Sequence, residues 1–163
     1  MELEIKDYIR RPRDSKRERE LLQRLRELPE EVRFDIVRKL LQHDKGIGLL
    51  MASGSLRQKR YFEEILEMGF KEGDASTILP WLECAVPKLG FRKVILSLGN
   101  RIDTDPVAVD NALYWMLRFK PQNDPRADLA LNGIRTRRQR NADNRAAFAS
   151  DDAWTGSSVN DAG

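Results

Sequence analysis

The side chains best suited to chemistry are few in this chain and widely scattered. His43 is the one histidine and Cys84 the one cysteine among 163 residues. A general base needs a partner within hydrogen-bond reach. Asp44 neighbours His43 in sequence, but consecutive residues on a helix point apart. A histidine closing a helix is stabilised by the helix dipole without any catalytic role. One thiol forbids an intrachain disulfide, and its apolar neighbours predict an inert buried group. Zinc would have to rely on carboxylates, and no cluster has ligand spacing. Glu63, Glu64 and Glu67 fall on one predicted helix. Glu63 and Glu67 are four apart and share a face, out of register with Phe62, Ile65 and Leu66, which predicts a solvated face. Asp103 and Asp105 read as loop and cap residues. No catalytic constellation, metal site or cofactor motif results, so the expectation is a protein that is not an enzyme and carries no cofactor.

Two glycine patterns bear on phosphate chemistry. Asp44-Lys45-Gly46-Ile47-Gly48 resembles the Asp-x-Gly-x-Gly form of histidine-kinase- and gyrase-type ATPases. In that family the aspartate contacts adenine and the glycines shape a lid. The strands which that fold requires are missing here, and a glycine cap at Gly46 accounts for the pattern. Gly48 to Gly54-Ser55 resembles a phosphate loop without the lysine that would reach the phosphates, so a connection between helix pairs is the simpler reading.

The charge pattern offers one further chemistry. Formal net charge is only +3, while 34% of residues are charged, which describes mixed, solvated helix faces. Arg135, Arg137, Arg138, Arg140 and Arg145 stand against one acid, Asp143. Such a run can contact phosphates and order on a nucleic acid. A basic arm around Arg10, Arg11 and Arg13 adds to it, diluted by Asp14, Glu18 and Glu20. The first residues are charged from Glu2 on and lack the apolar stretch of a signal peptide. The longest apolar run, Ile47 to Ala52, is too short to span a bilayer. With the single cysteine, this predicts a cytoplasmic protein with no membrane partner.

The elements that would position these residues are helical. Ile65-Leu66, Met68-Gly69, Asp74, Ile78 and Leu82 are echoed about 30 residues later by Ile95-Leu96, Leu98-Gly99, Asp105-Pro106, Val109 and Leu113. That offset is the length of a helical hairpin. Ser15-Lys16-Arg17-Glu18 and Ser55-Leu56-Arg57-Gln58 match capping boxes. The first predicts a helix carrying Leu21, Leu22, Leu25 and Leu28, stopped at Pro29. A second helix presents Val32, Ile36, Val37, Leu40 and Leu41 and ends at a left-handed Gly46. Residues 46–54 read as either a short buried helix or a loop. The third helix carries Tyr61, Phe62, Ile65, Leu66 and Met68 with Gly69 as its cap. A fourth begins at Asp74 or Ser76 and ends or kinks at Pro87. A fifth covers about 89–98. Asp105-Pro106 is an N-cap followed by proline at the first helical position. It opens a sixth helix burying Val109, Ala112, Leu113, Met116 and Leu117. A helix–turn–helix reading of the fifth and sixth helices fails, because the sixth shows Val107, Val109, Leu113, Trp115 and Met116 over most of its surface instead of polar side chains for base edges.

The expected fold is therefore all-α, with about six helices packed as antiparallel hairpins in a compact bundle or short stack. Residues 1–13 are expected as an arm, 14–120 as the domain, and 121–163 as a mostly disordered Arg-rich tail with room for a short helix near 126–140. The hairpins over 56–119, with a proline interrupting the fourth helix, resemble HEAT-type repeats, which implies a scaffold that binds other proteins. The leading expectation is a non-catalytic protein–protein interaction module, with Tyr61, Trp81, Tyr114 and Trp115 as partner anchors if exposed. The alternative is an accessory nucleic-acid-binding protein using Arg135, Arg137, Arg138 and Arg140.

Overall fold

The computed structural model describes residues 14–72 and 77–155, with side chains over 14–72 and 77–144. Among the described residues the chain is all-α, with neighbouring helices antiparallel and no strand. The helices are α1 (Ser15–Arg26), α2 (Glu30–His43), α3 (Lys45–Ser55), α4 (Lys59–Lys71), α5 (Ile78–Leu89), α6 (Phe91–Gly99), α7 (Pro106–Met116) and α8 (Pro125–Thr155), with a 3-10 turn over Leu117–Phe119. The predicted arm over 1–13 and the start signals Asp74 and Ser76 lie outside the described residues.

Helix α5 is the hub. It packs against α3, α4, α6 and α7. Its Ile78, Trp81, Leu82, Cys84, Ala85, Val86 and Leu89 are all buried, as expected of a helix apolar on most sides. Pro80 falls in the first turn, where its missing N–H costs nothing. Pro87 does not stop the helix, which runs on to Leu89 before Gly90 leads into α6. At the other end of the molecule α2 packs on α3, and α1 lies across both.

Several boundaries differ from expectation, each for a local reason. The cap of α1 is Asp14, whose carboxylate accepts from Lys16 N at 2.9 Å, so Ser15 is already helical. Asp44 closes α2 through its own N–H to Leu40 O and opens α3 by accepting from Ile47 N. That one extended residue fills the role expected of Gly46, which sits in the first turn of α3. Residues 46–54 are thus helix. Gly48 is required there because a Cβ would lie 2.7 Å from the Leu41 side chain. Ser55 is the last residue of α3 and donates to Met51 O. The entry to α4 is organised instead by Glu30, whose carboxylate accepts from the N–H groups of Arg57 and Gln58 at 2.6 and 2.8 Å. Gly69 does not cap α4, which continues to Lys71.

Two apolar faces depart from expectation. In α2 Phe34 is buried, stacking on Tyr61, while Val32 faces outward. In α7 Val109, Ala112, Leu113 and Met116 are buried as predicted, whereas Leu117, in the 3-10 turn that follows, is exposed. Helix α8 covers the short helix expected near 126–140 and runs further. It buries Ala127, Leu131 and Ile134 against the core. Its start repeats the Asp-Pro signal of α7: the Asp124 carboxylate accepts from Arg126 N, and Pro125 follows as the first helical residue.

Candidate functional site

Two of the four candidate anchors are core residues. Tyr61 is 4% exposed, and its hydroxyl accepts from Arg60 at 2.6 Å. Trp81 is 1% exposed and lies directly over Gly69. The other two form a surface feature on α7. Tyr114 is 70% exposed. It meets the half-buried Trp115 edge-on with ring centroids 5.0 Å apart. The Arg118 guanidinium stands 6.0 Å from the Trp115 ring centre. Val107, two turns before Tyr114, and Leu117, three residues after it, extend this outward apolar stripe.

A groove of about 400 Å³ runs between α4 and α6, within the size range of ligand pockets. Leu66 and Leu89 form its buried wall, and the exposed Leu96 stands at its edge beside Ser97 and Asn100. Glu63 and Glu67, expected as a merely solvated face, rim it. Glu63 pairs with Lys93 and Glu67 with Arg101, while Glu64 is exposed to solvent. Both partners come from about 30 residues further along the chain, so helix periodicity alone could not reveal them.

The arginines expected to meet nucleic acid divide into two classes. Arg137 donates to Asp103 at 2.7 Å and to Gly99 O, and Asn141 donates to the other Asp103 oxygen. Arg138 grips Asp110 through two hydrogen bonds of 2.9 and 2.6 Å. These bonds hold the Arg138 guanidinium pKa above its ordinary value. Arg135 and Arg140 are exposed and make no ion pair among the described residues. Arg10, Arg11, Arg13 and the Arg145 side chain lie outside the described residues.

The residues considered for catalysis are kept apart. His43 is exposed at the end of α2. Cys84 is buried, accepts from the Ser53 hydroxyl at 3.3 Å, and points its own thiol at Leu49 O. Burial pushes the Cys84 thiol up, away from the nucleophilic thiolate form. Among the described residues no group of three or more His, Cys, Asp or Glu side chains is arranged to hold a metal ion. Among the same residues no helix is long and apolar enough to cross a membrane. Compared with known proteins, the chain matches no family model, no curated protein and no solved structure.

Proposed function

We propose that the protein is a non-catalytic interaction module that binds another protein through the surface of α4, α6 and α7. The observation that supports this reading is the outward placement of Leu96 and Tyr114, 64% and 70% exposed on ordered helices. Leu96 edges an apolar groove with charged pairs at its rim. Apolar and aromatic anchors within a polar rim are what protein interfaces are built from. The single buried thiol suits a reducing compartment, and we take the cytoplasm as the place of action. The test is capture of binding proteins from the native host by the wild-type chain and by Leu96→Asp and Tyr114→Ser. Leu129→Asp, at an equally exposed leucine on α8, serves as control. A partner retained by the control and lost with Leu96→Asp supports the reading. Equal capture by all four refutes it.

The alternative is nucleic-acid binding along α8, and it is supported by the exposed Arg135 and Arg140. Two of its four arginines already have carboxylate partners. This reading implies that only Arg135→Ala and Arg140→Ala flatten the log–log salt dependence, by about 0.7–0.9 for each phosphate no longer neutralised.

A further inference from the structure

Helix α8 sits on the rest of the protein as a ligand sits on a receptor. Its attachment combines an apolar seam with polar ties, one of them, Lys120 to Asp128, beside the seam itself. Ala127, Leu131 and Ile134, spaced i, i+4 and i+7, form a narrow apolar seam. Ile134 rests over Gly99 at the end of α6, where an added Cβ would still be 3.7 Å away. Beyond the seam, among the described residues, the attachments are polar and at the surface. Arg137 and Asn141 share Asp103, and Arg138 takes both oxygens of Asp110. The receptor side is thus an apolar patch ending at Gly99 with two carboxylates beyond it. The carboxylates come from the α6–α7 loop and from α7, and both face basic side chains of a single incoming helix. Three small or aliphatic side chains followed by two adjacent arginines is a complete recognition pattern of the helix-in-groove kind.

We propose that this acid-edged face of α6 and α7 is a helix-docking surface, that α8 is its intramolecular occupant, and that an amphipathic partner helix of the same pattern binds by displacing α8. The occupant is defined by charge complementarity: small or aliphatic residues at i, i+4 and i+7, then two consecutive basic residues reaching Asp103 and Asp110. This deepens the interaction-module reading by naming the partner's chemistry and rests on it; its test reads Asp103 and Asp110 through α8 and the peptide, whereas the capture test reads Leu96 and Tyr114, so either can fail alone. Displacement is accessible because exposed ion pairs hold weakly and the apolar seam is short. The bidentate Arg138–Asp110 pair is the strongest polar tie, since paired charged hydrogen bonds exceed single ones.

The test uses the full chain and a fluorescent synthetic peptide of residues 124–144. Arg137→Glu with Arg138→Glu in the full chain should loosen the resident helix and leave the docking face intact. Hydrogen exchange over 126–141 should then rise about tenfold while α4 and α5 are unchanged. The peptide should bind this variant about tenfold more tightly than wild type. Adding Asp103→Lys and Asp110→Lys restores charge matching within the chain, so exchange over α8 should fall again and peptide binding should vanish. Equal peptide affinity for wild type and the double-glutamate variant would overturn the proposal. So would an exchange increase shared equally by α4 and α5, which would make α8 an integral part of one cooperative unit.

Discussion

The two halves of the internal near-repeat, α4–α5 and α6–α7, share a sequence pattern and use it differently. In the first, Gly69 lets α5 approach so closely that a Cβ there would lie 2.6 Å from Trp81. In the second, the matching Gly99 is covered by Ile134 of α8, which would lie 3.7 Å from a Cβ added there. Leu66 is buried and its counterpart Leu96 is 64% exposed. Helix α4 packs most extensively on its own hairpin partner, whereas α6 packs more on α8 than on α7. The first hairpin closes on itself with an indole over a glycine. The second is left open, and the chain supplies a third helix to finish it. A repeated pattern thus sets where helices start and end, while one large side chain decides whether a hairpin is self-sufficient.

Trp81→Ala should disturb this asymmetry most, because it removes the indole that seals the first hairpin. It should destabilise the protein by about 3–5 kcal/mol in denaturant unfolding. Next come the matched glycines. Gly69→Ala forces a methyl into Trp81 and should cost about 1–3 kcal/mol. Gly99→Ala meets only ordinary contact distances and should be neutral or slightly stabilising, since alanine is the better helix former. Equal losses at the two positions would show that the hairpins are packed alike.

Smaller effects separate the two ends of the molecule further. Gly133 lies inside α8 with nothing within 4 Å of an added Cβ. Gly133→Ala should therefore stabilise α8 by roughly 0.5–1 kcal/mol, seen as slower exchange over 126–141. The smallest is the acid response of Glu30, which belongs to the α2–α4 end. Burial pushes its carboxyl up, but hydrogen bonds from Arg57 and Gln58 and the charge of Arg33 pull it, on balance, below its usual 4.5. A folded pKa below the unfolded one gives stability that is complete above about pH 4.5 and is lost as pH falls through the folded value. Glu30→Gln should remove that part of the acid limb, so its midpoint should fall less steeply below pH 4.5 than that of wild type.

Much of this architecture was legible. Asp105-Pro106 opens α7 as read, with the Asp105 carboxylate accepting from Ala108 N at 3.1 Å. The apolar stripes of α1 and α4 point inward. What escaped did so for physical reasons. Helix α3 is buried on most sides and, after Lys45, holds only glycine, serine and apolar residues, so it has no charged face to set a period. Among its described residues helix α8 buries three apolar side chains, one of them alanine, which dilutes its stripe below recognition, although Asp124-Pro125 repeats the start signal of α7. The capping boxes at Ser15 and Ser55 misled because Asp14 and Glu30 were better placed acceptors. At the candidate site, Leu96 and the acceptors Asp103 and Asp110 were hidden because their roles depend on helices that meet only in space.

Helix α8 completes an open hairpin through a short described seam and polar ties. The decisive measurement is residue-resolved hydrogen exchange of the wild-type chain at about 0.05 and 0.5 M salt, because salt screens exposed charge and leaves apolar packing in place. Amides of α4 and α5 should exchange slowest and respond little to salt, while those of 126–141 should exchange about tenfold faster or more and accelerate as salt rises. Protection over 126–141 equal to that of α4 and α5, and unchanged by salt, would contradict this picture.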